Sequence, residues 1–423
     1  MNLTVHQSDL DGIISIPGSK SHTIRALVIA LLSKGKSVIR EPLESSDTLS
    51  CLDMIKSLGA KVEKKSRLWE VTGVGSKIFI PDNVIDIGNS GTSLYIGMGV
   101  AALIDGTTIF TGDHQIRNRP TDSLLHCIND LGGKAYSTRN NGKPPVIISG
   151  RITGGRTSVE AVTSQYLSAL LLAAPLASGE TTIDVPLLNE KPYVTMTLNW
   201  MQKQNISFTN NNYESFIIPG NQSYKGFDEY IAADFSSATF FLVAAAISGK
   251  NVILKGLDFN DTQGDKEVVT ILQKMGADIT IHEKEIQIKG GELTGGVFDL
   301  NAIPDALPAL SVAGCFANGT TELINVPQAR LKETDRIAVM NQELAKMGAN
   351  IQEKTDGLVI KKSNLKGCNV HGHYDHRVVM SLSVAGLFAN GTTTIDTAES
   401  VAITFPNFVS LMNSLGANIL EQK

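Results

Sequence analysis

At 423 residues the chain is longer than one hydrophobic core usually serves, so two or three domains are expected. Hydrophobic residues make up 42% and glycine occurs 38 times, which excludes a disordered chain and fits a globular one rich in turns. A formal charge of -5 excludes a general attraction for nucleic acid, so any anion site has to be local.

Cys51, Cys127, Cys315 and Cys368 stand far apart without a C-x-x-C pair, which argues against a disulfide framework or a zinc ribbon. Reduced, buried thiols are expected. The opening MNLTVHQSDLDG has no basic stretch followed by an apolar one, and the run LSALLLAAPLA (167–177) is too short to span a bilayer. A cytoplasmic protein that binds neither membrane nor nucleic acid is the expectation.

In chain order, the same elements recur six times. An apolar helix comes first: ALVIALL, IGMGVAAL, ALLLAAPLA, FFLVAAAI, ALPALSVAGCFA and VVMSLSVAGLFA. A short β-branched strand follows, opened by Gly35, Gly106, Gly179, Gly249, Gly319 and Gly391 in turn. An amphipathic helix is then closed by Gly59, Gly132, Asn205, Gly276, Gly348 and Gly416, the position of a left-handed cap. One or two strands such as DITIHEKEIQIKG complete the unit. Both ladders have a period of roughly 70 residues.

Each unit is too small to bury its own apolar helix, and a helix apolar on nearly every side belongs inside a layer of sheets. The predicted fold is therefore α/β, with two similar domains of three βαβαββ repeats each. Each domain is an inside-out α/β barrel with pseudo-threefold symmetry, and a substrate cleft lies between the two. Residues 15–231 hold repeats one to three, and 232–423 with the strand in 1–14 hold repeats four to six. GNQSYKGFDEYIAAD (220–234) reads as the crossover.

Polar constellations gather at helix starts: PGSKSHTIR, GNSGTS, RNRP, VTSQY, NEKPY, AADFSS, IPDALP, RLKETDR and YDHR. A helix N-terminus carries unpaired amides and the positive end of the macrodipole, so it suits phosphate or carboxylate. Lys20, Arg25, Arg119, Lys332, Arg336 and Arg377 would make the cleft strongly cationic, and a small, multiply anionic substrate is its natural occupant. Plainer readings exist. KETDR could be an ordinary charged first turn capped by Thr334, Asp305 an N-cap, and Tyr193 a packing residue. PGSKS lacks the spacing of a nucleotide-triphosphate loop. His371, His373, Asp375 and His376 in HGHYDHR invite a metal reading, but no matched ligand set accompanies them, so neither metal nor cofactor is expected.

With PGSKSHTIRA, GNSGT, RNRP, TSQY, KPY, IPDALP, LKETDR, DHR and TFPNF in this order, the chain resembles the 5-enolpyruvylshikimate-3-phosphate synthases over essentially its whole length. The resemblance implies a monomeric transferase with two three-unit domains whose helix starts face a cleft. It implies transfer of the enolpyruvyl group of phosphoenolpyruvate to the 5-hydroxyl of shikimate 3-phosphate, releasing phosphate, on the route to chorismate and the aromatic amino acids. By the same resemblance Lys20, Ser21, Arg25, Tyr193 and Lys332 would meet shikimate 3-phosphate, and Thr163 and Ser164 its phosphate. Gln165 would lie between the substrates. Gly91, Arg119, Arg336, His376 and Arg377, with Lys20, would bind phosphoenolpyruvate. Asp305 would accept the hydroxyl proton and Glu333 would handle the proton at the methylene carbon, with Lys20 completing the catalytic set.

The chain departs from the family pattern in five places. Ile24 replaces an Asn, Tyr95 an Arg, Glu190 a Ser near the shikimate phosphate, Gln328 an Asn or His, and Ile403 a Lys. Enolpyruvyl transfer to a nucleotide sugar, the reaction of a sister family, is matched only by the repeats. Tyr95 and Glu190 motivate a third reading, a paralogue that binds anions without turnover.

Overall fold

The computed structural model of the protein describes residues 1–248 and 250–422. Gly249, one rung of the strand-opening ladder, lies outside the described residues. The chain divides into two compact units, Gly18–Ile231 and a split unit of Met1–Pro17 with Ala232–Lys423.

In the Gly18–Ile231 unit the helices are α1 (Lys20–Leu32), α2 (Ser46–Ser57), α3 (Gly91–Ala101), α4 (Asp122–Asp130), α5 (Ser164–Ala173) and α6 (Lys191–Lys203). Past their first turns the odd-numbered ones are largely apolar and buried on every side, and every residue of α3 is buried. The even-numbered ones bury one stripe, as with Leu124, Leu125, Cys127 and Ile128 of α4. Each repeat contributes a sheet in which a parallel pair is extended by an antiparallel hairpin. Gly155–Ala161 pairs with Thr181–Leu188, which pairs with Ser215–Ile218 and, through it, Thr209–Asn211. Ile85–Asp86, Thr107–Thr111, Val146–Ser149 and Lys134–Ser137 repeat that order.

The leading strand of the first repeat comes from the far end of the unit. Tyr224–Lys225 and Asp228–Tyr230 run parallel to Ser33–Arg40, within the stretch read from sequence as a bare crossover. Gly226 makes this possible, since a Cβ there would stand 2.2 Å from the Lys36 carbonyl oxygen. Tyr224 is buried and donates its hydroxyl to the Leu172 carbonyl at 2.9 Å, and Arg40 grips Asp228 through two bonds of 2.7 Å.

The split unit repeats the plan with α7 (Phe235–Ser248), α8 (Glu267–Lys274), α9 (Leu307–Phe316), α10 (Arg336–Lys346), α11 (His376–Leu387) and α12 (Phe408–Ser414). Its N-terminal strands complete two of its sheets. Gly12–Ser15 lies parallel to Asn251–Lys255, and Asn2–His6 inserts antiparallel between Thr393–Ile395 and Asn418–Gln422. Each unit has its own apolar core. The caps follow the sequence reading: Gly59, Gly132, Gly276, Gly348 and Gly416 have φ of 104°, 100°, 106°, 92° and 103°, and Asn205 reaches the same region at 56°.

One close approach carries a prediction. Gly73 lies in the strand Leu68–Val74 against the end of α1, where a Cβ would meet the Ala30 carbonyl oxygen at 2.0 Å and that of Ser33 at 2.4 Å. Gly73→Ala is expected to lower the urea midpoint by the equivalent of ~2 kcal/mol or more; an unchanged midpoint would mean that α1 and this strand separate easily.

Candidate active site

Four helix starts of the Gly18–Ile231 unit carry the residues singled out in the sequence. At α1, the Ser19 hydroxyl accepts from the His22 amide, and Lys20 reaches back 3.0 Å to Asp47 in the first turn of α2. Ser21 follows on the same turn, half-buried. Arg25 is inside, and burial brings its guanidinium down to about 10. It donates to the carbonyls of Ser21 (3.0 Å) and Tyr193 (3.1 Å) and to the hydroxyls of Thr197 (2.9 Å) and Ser168 (3.4 Å). Arg25 thereby ties α1 to α5 and to the first turn of α6, where Tyr193 sits.

At α3, Ser90 is the cap and Gly91 the first helical residue. A Cβ on Gly91 would lie 3.6 Å from the Arg119 guanidinium, so this side chain rests against the helix start. Arg119 is buried, and the Pro120 carbonyl that follows it accepts from the hydroxyls of Tyr95 (3.0 Å) and Tyr166 (2.7 Å). The two rings pack edge to face at 5.0 Å. Tyr95, which stands where the family pattern has an Arg, thus supports the loop that delivers Arg119.

At α5, Thr163 caps and Ser164 begins the helix. Gln165 is half-buried, and its Oε1 is inaccessible with no hydrogen-bond partner among the described residues. At α6 the cap is Glu190, held in left-handed conformation at φ 57°. Its carboxylate accepts from the Thr163 hydroxyl (3.2 Å), the Ser164 amide (3.2 Å) and the Ser164 hydroxyl (2.8 Å).

In the split unit the charges are denser. Asp305 lies in a single 3-10 turn, Pro304–Ala306, leading into α9. Arg336, the first residue of α10, is buried. It donates to Asp305 (2.7 Å), to Glu333 one turn before it, and to both oxygens of Asp375 (2.8 and 3.2 Å). Burial pulls this guanidinium down, but the carboxylates of Asp375, Glu333 and Asp305 outweigh it and hold the cation above its ordinary value. Arg377 reaches the second Asp305 oxygen at 3.0 Å, and Lys332 stands 3.9 Å from the first. Asp375 caps α11 by accepting the Arg377 amide at 2.8 Å, and His376 is buried beside it.

The plainer readings fare unevenly. Asp335, not Thr334, caps α10, accepting the Ala338 amide at 3.0 Å. Asp305 spends both oxygens on side-chain cations rather than on a cap. His371 pairs with Asp396 at 2.6 Å and His373 with buried Glu343 at 3.0 Å, so these two histidines brace the loop before α11. Among the described residues no group of three or more His, Cys, Asp or Glu is placed to hold a metal ion.

One set of predicted residues, Lys20, Ser21, Arg25, Gly91, Arg119, Thr163, Ser164, Gln165 and Tyr193, belongs to the Gly18–Ile231 unit. The other set, Asp305, Lys332, Glu333, Arg336, His376 and Arg377, belongs to the split unit. Sequence reasoning missed Asp47, Tyr166 and the clamp of Asp375 on Arg336. Asp47 looks like any acidic first-turn residue. Tyr166 looks like core.

The profile of the family described as EPSP synthase (3-phosphoshikimate 1-carboxyvinyltransferase) matches residues 5–412. The chain belongs to the EPSP synthase family. A 3-phosphoshikimate 1-carboxyvinyltransferase of Acetivibrio thermocellus is 54% identical to it over 419 residues, covering 99% of both chains. One from Methanococcoides burtonii is 43% identical, again over 99% of both. The α/β fold is that of the EPSP synthase of Acinetobacter baumannii, with a TM-score of 0.84 and 29% identity over 99% of this chain and 100% of the other. Among the described residues no helix is long and apolar enough to cross a membrane.

Proposed function

We propose that the protein is a 3-phosphoshikimate 1-carboxyvinyltransferase, moving the enolpyruvyl group of phosphoenolpyruvate to the 5-hydroxyl of shikimate 3-phosphate with release of phosphate. The observation that carries the reading is the shared guanidinium of Arg336, which holds Asp305 and Glu333 at once. The reaction needs two proton handlers, because the attacking hydroxyl loses a proton while the methylene carbon of phosphoenolpyruvate gains one and later returns one. Asp305 takes the first role and Glu333 the second.

The remaining residues bind. Lys20, Ser21, Tyr193 and Lys332 contact shikimate 3-phosphate, Arg25 backs that wall, and Thr163 with Ser164 presents the α5 start to its phosphate. Gly91 with Arg119, and Arg336, His376 and Arg377, take the carboxylate and phosphate of phosphoenolpyruvate, shared with Lys20. Gln165 serves both substrates, and a substrate hydroxyl donating to its Oε1 would satisfy that buried oxygen. The clustered cations are required because the substrate anions would otherwise repel one another. The protein acts in the cytoplasm as a monomer, with no cofactor.

Phosphorus NMR on the purified protein tests this. Inorganic phosphate and the enolpyruvyl ether are expected only when both substrates are present. A folded protein that forms neither product contradicts the assignment.

A further inference from the structure

The Glu190 carboxylate occupies a position where an anion of another molecule is otherwise expected. It is 2% exposed, and one of its oxygens accepts all three bonds offered by Thr163 and Ser164 at the start of the ten-residue helix α5. Two hydroxyls and a helix amide converging on one oxygen are the donor set of a phosphate site. The backbone contributes to the placement. Glu190 sits at φ 57° and ψ 39°, a conformation a β-bearing residue adopts at a cost, and its carbonyl is fixed by the Tyr193 amide at 3.0 Å.

We infer that Glu190 is an internal stand-in for the substrate phosphate: it fills the phosphate subsite of the unliganded protein, must be displaced when a phosphorylated substrate binds, and so lowers the preference for the phosphorylated ring over the unphosphorylated one. The inference rests on the proposed function for the identity of the substrate, but the displacement itself is read from the contacts of Glu190 with Thr163 and Ser164. A carboxylate and a phosphate dianion cannot share one set of donors, since at contact distance their repulsion far exceeds the worth of any single bond. Phosphate binding here therefore carries the cost of expelling an anion, and an unphosphorylated ring does not incur it. The wild-type protein should thus discriminate less between shikimate 3-phosphate and shikimate than a protein with a neutral residue at this position.

The test is titration calorimetry of the full chain with shikimate 3-phosphate, shikimate and inorganic phosphate, for the wild type and for Glu190→Gln, Glu190→Ser and Glu190→Asp. Glu190→Gln keeps an acceptor of the same size without the charge. It and Glu190→Ser are expected to bind shikimate 3-phosphate and inorganic phosphate at least tenfold more tightly than the wild type, with shikimate affinity unchanged. Glu190→Asp keeps the charge and is expected to stay near the wild type. A purely structural cap would instead lower the melting temperature and leave the ratio of the two ring affinities alone. Equal phosphate affinity in the wild type and both neutral variants overturns the inference, whatever the turnover assay shows. Absence of turnover by a wild type whose neutral variants do gain phosphate affinity overturns the functional reading instead.

Discussion

Replacing Asp375 by Ala is expected to destabilise the protein by about 3–5 kcal/mol, the cost of stripping one partner from a buried ion pair. Asp375 is fully buried, grips Arg336 through both of its oxygens, and caps α11 through the Arg377 amide. Ala leaves the Arg336 guanidinium without the carboxylate that grips it through two oxygens and leaves a helix start uncapped, the second effect being about 1 kcal/mol by itself. Asp375→Asn keeps the cap and one acceptor, so its loss should be visibly smaller. Urea unfolding measures both. If Asp375→Ala falls within ~0.5 kcal/mol of the wild type, the range of ordinary surface changes, then Arg336 does not depend on this clamp.

Asp305→Ala should cut kcat by on the order of a hundredfold or more, as expected for loss of a general base. Its effect on binding should run the other way. Asp305 holds Arg336 at 2.7 Å and Arg377 at 3.0 Å, and both arginines are assigned to phosphoenolpyruvate. Removing the carboxylate releases them for the substrate, so KM for phosphoenolpyruvate should stay level or fall. Steady-state kinetics with each substrate varied separates the two effects. A near-normal kcat refutes the base role, and a strongly raised KM would show that Asp305 organises the arginines rather than competing for them.

How much of this was legible in the sequence depended on whether the signal was local. The repeat was legible because each amphipathic helix must end in a left-handed residue, and glycine or Asn205 marks each one. The apolar helices were legible because, past their first two turns, they carry no charged side chain to face water. The strands at Tyr224–Lys225 and Asp228–Tyr230 were not, because short edge strands with a glycine between them look like linker until their partner, almost two hundred residues earlier, is known.

At the candidate site, residue types were readable but their pairings were not. The cluster Lys332, Glu333 and Arg336 announces charge, yet nothing local says that Arg336 turns to Asp305 and Asp375. Tyr95 stands in the sequence where the family pattern has an Arg, and in the structure it is a buried phenol that donates to the Pro120 carbonyl. Glu190 was visible as a departure. That it lands on Thr163 and Ser164 required the meeting of two helix starts more than twenty residues apart.

Whether helix starts and their hydroxyls act as anion seats is measured most directly by a crystal structure with shikimate 3-phosphate bound. The predicted result is a phosphate within hydrogen-bond distance of the Thr163 hydroxyl, the Ser164 hydroxyl and the Ser164 amide, with the Glu190 carboxylate turned away. A phosphate bound elsewhere, with Glu190 still seated on α5, would contradict it.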